Sequence, residues 1–464
     1  MAKEATNLGK DSIGILLFKL AMPAIIAQLV NVLYNIVDRI FIGRIPNGEI
    51  AMAGVGVAFP IILIISAFSA LLGMGGAPLA AIKMGEGNNS EAERIMSTSF
   101  SLLTSVGILL TIIFLIFKEP ILWAFGASEA TIGYASEYIT IYLIGTVAVQ
   151  IALGMNAFVN TQGFAKIGMM TVMLGAAINI VLDPILIFGF GMGVKGAALA
   201  TIVAQFVSAT WVLIFLFGKK SILKIRKKYL IPNPKIALAI VALGISPFIM
   251  QSTESLVLIS LNNQLLKYGG DLAVGAMTIM SSIMQMIMLP IMGISQGAQP
   301  ILSYNYGAKQ MDRVKKTFKL QIICCIAYTT FMWVMLMLIP EVFVGIFNNK
   351  QELIDITSWS IRIYFAGIFA FGAQGACQQT FLALGQAKTS LILALLRKVI
   401  LLVPLIFILP ACVADANKLQ AVLTAEPVAD ILAALTTVVC FAIFYKKTLG
   451  KIENEVETSG PVSM

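Results

Sequence analysis

The sequence predicts an all-α polytopic membrane protein, with twelve transmembrane helices in two pseudo-symmetric six-helix bundles. Three observations carry that expectation. Of the 464 residues, 59% are hydrophobic and only 12% are charged, with a mean hydropathy of +0.92. A soluble chain carries roughly twice that charged fraction. The apolar residues gather in runs long enough for a helix to cross a bilayer, about 20 residues. Motifs also recur at a fixed offset of 222 residues. A β-barrel would instead show alternating segments of ~10 residues, and none appear.

Taken in order, the first helix falls at 13–43. It is apolar apart from Gln28, Asn31, Asn35 and Asp38, and Pro23 gives it a place to bend. The second, at 50–83, carries Gly75-Gly-Ala-Pro78, with Gly85 just beyond it. The third, at 91–117, is an apolar run closed by Lys118. The fourth lies at 133–161. The fifth, at 164–190, follows Gln162-Gly163-Phe-Ala165-Lys166 and contains Asn179 and Asp183-Pro184. The sixth, at 194–218, has Thr201 near its start.

A basic connector, 219–235, separates this lobe (1–218) from a second one (236–446), and 447–464 form a tail. The seventh helix, at 236–265, contains Pro247 and Glu254. The eighth, at 273–306, is rich in methionine and contains Gly297-Ala-Gln-Pro300, followed by Gly307. The ninth falls at 312–340. The tenth, at 355–384, ends on Leu384-Gly385-Gln-Ala387-Lys388 and holds Gln374, Gln378 and Gln379. The eleventh, at 388–411, carries Arg397 and Lys398, and the twelfth, at 417–445, carries Glu426 and Asp430. The two Gly-rich motifs and the two helix-connecting motifs pair at the offset of 222, and Pro23 pairs with Pro247 at a similar one. Six helices per half preserve orientation, so the halves are expected to be parallel, about an axis along the membrane normal. Binding sites in such proteins lie between the repeats near the midplane.

The loop charges set the expected side. With the N-terminus inside, Lys83, Arg94, Lys166, the 219–235 cluster, the Lys309–Lys319 cluster, Lys388 and Lys446-Lys447 all fall on the cytoplasmic face. Both termini are then cytoplasmic. The net charge of +9 follows this alternation, so it points to lipid headgroups and not to nucleic acid. Met1 to Asp11 is polar and lacks the apolar core of a signal peptide. The five cysteines show neither zinc spacing nor a disulfide framework, and there is no histidine for a proton relay. Gly191-Met-Gly-Val-Lys-Gly196 spells a dinucleotide fingerprint but joins two membrane helices with no preceding strand. No Walker A sequence appears, which argues against an ATP-driven pump.

Carboxylates at membrane depth are costly and by default mark function. Gln28, Asn31, Asn35 and Asp38 are spaced 3, 4, 3 and share one helical face, with Tyr34 beside it. Asn179 and Asp183 lie one turn apart. With the first and fifth helices running outward and the sixth inward, Asp38, Asn179, Asp183 and Thr201 reach similar depths. Two carboxylates, an amide carbonyl and a hydroxyl are all hard oxygen, suited to Na⁺ or a proton. Glu254 lies mid-helix, as a cation or substrate carboxylate or as the partner of a buried base such as Arg397. Arg397, Glu426 and Asp430 are readable as an ion-pair network or as substrate contacts. Met280 and Met284, with Gln285, suit adaptable apolar binding or ordinary packing.

Tyr34…Asp38-Arg-Ile-Phe-Ile-Gly43, Asn179-Ile-Val-Leu-Asp183-Pro-Ile-Leu-Ile-Phe-Gly189, Gly196-Ala-Ala-Leu-Ala-Thr201 and Glu426-Pro-Val-Ala-Asp430 resemble the multidrug and toxic compound extrusion (MATE) transporters. The resemblance covers nearly the whole chain and is nearest the MepA and DinF-like branch. It implies a first-lobe cation site at Asp38, Asn179, Asp183 and Thr201 with Tyr34 nearby. It also implies export of amphipathic, often cationic drugs or toxic metabolites in exchange for inward Na⁺ or H⁺. No enzymatic activity or further cofactor is implied, and the expected form is a monomer in a prokaryotic cytoplasmic membrane. The tenth helix departs from the family pattern: Gln374, Gln378 and Gln379 stand where an aspartate would complete a second-lobe site. A flippase for lipid-linked oligosaccharide or peptidoglycan precursors is the alternative. It calls for basic residues along its cavity, whereas the first-lobe face is acidic and amide-rich. A channel is a weaker reading, because the six-plus-six repeat gives no reason for a continuous pore.

Overall fold

The computed structural model describes residues 6–347 and 350–449. Among them, ten helices are each long and apolar enough to cross a membrane, and two bent helix pairs complete a set of twelve. No strand occurs among the described residues. A bilayer offers the backbone no water, so each span must satisfy its own N–H and C=O groups and is helical. Hydroxyls on the spans fold back one turn, as Thr104 does to the Phe100 carbonyl (2.9 Å) and Thr436 to that of Leu432 (2.8 Å). Phe18, Ile116, Ile214 and Leu435 stay exposed on the outside of the bundles.

The first six spans are Ile13–Gly43, Gly48–Gly85, Asn89–Ala124, the pair Ile132–Ile144 and Thr146–Thr161, Ala165–Gly189 and Val194–Phe217. The second six are Pro234–Gly270, Leu272–Gly307, Met311–Leu338, the pair Gln351–Tyr364 and Ile368–Ala383, Ala387–Ala411 and Asp415–Lys447. Most ends fall within a few residues of the sequence expectation. The third span is longer than expected, because Lys118 donates to Thr140 Oγ1 at 2.8 Å and Leu122 is fully buried. Tertiary contacts carry that helix past its apolar run. The loop expected between the seventh and eighth helices is reduced to a corner at Gly270, whose φ of 66° and ψ of −165° suit glycine alone. The expected tail lies outside the described residues from position 450 onward.

The repeat is written into the backbone. The fourth span bends by 59° at Gly145 and the tenth by 52° next to Gly367, and these two glycines are 222 residues apart. Gly163 and Gly385 have positive φ, as do Gly87 and Lys309, each pair at that same offset.

The lobes meet in the half of the molecule where Leu8 packs against the eighth span. A Cβ on Gly85 would run into the Tyr304 carbonyl, and one on Gly307 into the Ile82 carbonyl. These two contacts are equivalent under the repeat, as a two-fold relation between the lobes requires. Gly244 likewise packs on Leu71 and Gly297 on Ala21. Phe68 and Phe248 meet edge to face at 5.0 Å. The chain start reinforces this end. Thr6 Oγ1 donates to the Gly163 carbonyl (2.7 Å) in the first lobe. In the second lobe, Asn305 and Arg313 donate to the Leu8 carbonyl (both 3.0 Å), and Arg313 also to that of Asp11 (2.8 Å). Leu8 itself is buried in an apolar cluster with Leu16, Leu20, Ile301, Leu302 and Met311.

The basic connector is strapped to the first lobe. Arg226 forms a two-pronged pair with the buried Glu93 (2.7 and 3.1 Å), and Glu93 also accepts from the Lys224 amide (3.1 Å). Leu223 and Ile225 are buried between these polar ties.

Candidate functional site

The first lobe brings the polar faces of three spans together. On the fifth span Asn179 and Asp183 are one turn apart and nearly inaccessible, at 2% and 0% exposed. The Asn179 amide nitrogen donates to Asp183 Oδ1 and to Thr201 Oγ1 on the sixth span, both at 3.3 Å. Asp38, half-buried on the first span, is among the charges that act on Asp183. Tyr138 of the bent fourth span is buried beside Thr201 and lies within the field of Asp38. Pro184 follows Asp183 and has no N–H, and the helix widens into a π turn over Ile185–Gly189.

The Asn179 amide spends both hydrogens here, while three acceptors of the group are unused. Asp38 Oδ1, Asn179 Oδ1 and Asp183 Oδ2 are each buried with no hydrogen-bond partner. Among the described residues neither aspartate makes an ion pair. An unpaired buried acceptor costs about 1–3 kcal/mol, and more if charged. Three on one site are a large fraction of a domain's stability. A hard monovalent cation or a proton satisfies such a set, since every free group is an oxygen acceptor.

A cavity of about 230 Å³ adjoins the site and reaches Tyr34, Asn179 and Thr201. The first span contributes Gln28 and Asn31 to its wall, whereas Asn35 is exposed and folds back onto the Asn31 carbonyl at 2.6 Å. Sequence reasoning missed Asn156, Asn160 and Gln205 from this lobe, and Gln296 and Gln299 from the eighth span. Two of these sets are amide pairs at helical spacing, the same signal that marked the first span. No lysine or arginine lines the cavity.

The second lobe is organised differently. Arg397 donates through Nε to Asp430 Oδ1 (2.8 Å) and through Nη2 to Glu426 Oε1 (2.9 Å), and its guanidinium lies 4.8 Å from the centre of the Phe371 ring. Glu254 pairs with Lys398, which also donates to the Met250 carbonyl at 2.8 Å. Glu254 thus meets a buried base, as one of its two readings has it, though the base is Lys398 and not Arg397. Arg397 and Lys398 are consecutive in a π turn over Leu396–Leu402 and point to different carboxylates. Gln378 is buried and donates to the Ser390 carbonyl (2.8 Å) and to Ser246 Oγ (3.3 Å), while Gln374 is buried with Oε1 unpartnered. Of the two readings of the eighth-helix methionines, burial agrees with ordinary packing. Met277 and Met280 are core residues, and Met284 packs against the same core. Gln285 is exposed.

The fold defines a two-lobed, twelve-span membrane protein with a cluster of buried, unpartnered oxygens in one lobe. The chain belongs to the MatE family, whose model matches residues 23–185 and 235–408, one stretch in each lobe. It is similar to the multidrug export protein MepA of Staphylococcus aureus (strain N315), 25% identical over 423 residues covering 89% of this chain and 91% of that one. In structure it resembles a MATE crystallised in a bent conformation, with a TM-score of 0.90, 22% identity and coverage of 98% and 99%. It also resembles a multidrug resistance MATE family transporter in an outward-facing conformation, with a TM-score of 0.88, 23% identity and coverage of 97% and 99%.

Proposed function

We propose that the protein is a secondary active multidrug exporter, exchanging amphipathic, often cationic compounds for Na⁺ or H⁺ by alternating access. The observation that carries this reading is the pair of carboxylates without an ion-pair partner, Asp38 and Asp183, each of which, like Asn179, keeps a buried oxygen with no hydrogen-bond partner. The name and function of the staphylococcal relatives agree with it. Asp38, Asp183 and Asn179 bind the coupling ion, and Thr201 holds Asn179 in place. Tyr34, Asn31 and Gln28 form the passage between this site and the cavity.

Residues 1–218 and 236–446 act as the two moving lobes, and 219–235 is the cytoplasmic connector. With both termini cytoplasmic, the lobe contacts at Gly85 and Gly307 close the cytoplasmic side. Ion binding neutralises the first-lobe carboxylates, which lowers the cost of burying that face and lets the spans repack. The ion shifts the lobes only if its affinity differs between the two access states. A flippase for lipid-linked pyrophosphates is disfavoured, because the cavity wall offers no cationic side chain.

Efflux of a fluorescent organic cation from proteoliposomes tests the reading, with Na⁺ and pH gradients imposed one at a time. Drug movement that follows neither gradient contradicts it.

A further inference from the structure

The two lobes treat the carboxylates of their spans in different ways. In the first, Asp38 and Asp183 have no paired cation among the described residues, while Glu93, near the connector, is held by Arg226. The second holds three carboxylates, Glu254, Glu426 and Asp430, and answers them with Arg397 and Lys398. Within that network the side chains of Glu426 and Asp430 are 6% and 3% exposed beneath Arg397, beyond the reach of an arriving ion. Glu254 is different, because its side chain is 57% exposed in the middle of the seventh span. It is the carboxylate of this lobe that an external cation could meet. Its partner is anchored: the Lys398 side chain is only 11% exposed, and its ammonium is also held by the Met250 carbonyl at 2.8 Å.

We infer that Lys398 is a built-in cation for the second lobe, holding Glu254 against Na⁺, protons and cationic drugs, so that ion coupling is confined to Asp38 and Asp183. The inference rests on the transport reading for its meaning but not for its test. A tethered ammonium is always at hand, whereas a free ion must be drawn from solution. The Glu254–Lys398 pair therefore needs no ion from solution. Arg397 cannot substitute, because both of its prongs are committed to Asp430 and Glu426.

The test is tetraphenylphosphonium binding to the purified full-length protein by isothermal titration. Lys398→Met leaves Glu254 exposed and unpaired, and binding is expected to tighten about ten-fold, or 1.4 kcal/mol. Lys398→Arg should retain wild-type affinity. Lys398→Met combined with Glu254→Gln should return to it, which assigns the gain to Glu254. Glu254→Gln alone should leave wild-type binding unchanged. Unaltered binding in a folded Lys398→Met protein overturns the inference. So does loss of wild-type binding in Glu254→Gln, since Glu254 would then already be a drug contact. If Lys398→Met does not fold, Glu254→Gln decides by itself. Ion-driven efflux by the wild type is measured in parallel. Its absence counts against the transport reading, whereas the binding comparison decides on Lys398 alone.

Discussion

Asn179 and Asp183, one turn apart on the fifth span, are joined by a 3.3 Å hydrogen bond that leaves Asn179 Oδ1 and Asp183 Oδ2 without partners. The amide spends its donors holding Asp183 and Thr201, and its own oxygen stays unpartnered. Asn179→Ala should therefore leave both carboxylates present but Asp183 poorly aimed. We expect ion affinity to fall roughly 10- to 100-fold, as for other lost supports of an ion ligand. Asn179→Asp, which keeps an oxygen but loses the donors, should not restore it. Ion-dependent quenching of tryptophan fluorescence reads this out, and an unchanged midpoint in Asn179→Ala would remove Asn179 from the site.

Gly307 leaves no room for a side chain against the Ile82 carbonyl. Gly307→Val should hold the lobes apart at this end, at a cost of about 1–3 kcal/mol of overpacking. The expected readout is loss of disulfide crosslinking between cysteines placed at Ile82 and Tyr304. Crosslinking at the wild-type rate would show that the contact is not a closure point.

Arg313 bonds two carbonyls of the chain start and Asn305, while Thr6 ties the same segment to the first lobe. The segment thus spans both lobes. Arg313→Ala should weaken closure at this end by roughly 1.5–3 kcal/mol, the scale of charge-assisted hydrogen bonds. Spin labels on opposite lobes should then report a larger separated population than in the wild type. Identical distance distributions would mean that the segment rides on one lobe without latching the pair.

Glu93 accepts from Arg226 and from the Lys224 amide, so it pins a loop rich in trypsin sites. Glu93→Gln should make the connector more open to trypsin in detergent, with cleavage between Lys224 and Lys228. Equal resistance in both proteins would assign the loop's order to Leu223 and Ile225 instead.

Much of this was legible in the residues because the bilayer limits the options. Apolar runs must be helices, and polar groups within them stand out at helical spacing. Asp38, Asn179, Asp183 and Thr201 were found in that way, and so was the repeat. Other features leave no such trace. Arg397 and Lys398 are neighbours, and which of them meets Glu254 depends on how the seventh, eleventh and twelfth spans pack, which sequence spacing does not reveal. Methionines at helical spacing fit a core and a soft binding surface equally, so the burial of Met280 had to be seen. The bends at Gly145 and Gly367 fall inside apolar runs that read as straight helices. The latch at the chain start relies on backbone carbonyls, which have no sequence signature.

The central claim is that Asp38 and Asp183 form one ion site and not two. A double-mutant cycle on coupled efflux in proteoliposomes tests it most directly, with Asp38→Asn, Asp183→Asn and the double variant compared in membranes at equal insertion. If the two share one ion, each single variant abolishes the gradient dependence and the double variant loses nothing more. Partial losses in the single variants that add in the double would contradict the claim, because each aspartate would then be serving an ion of its own.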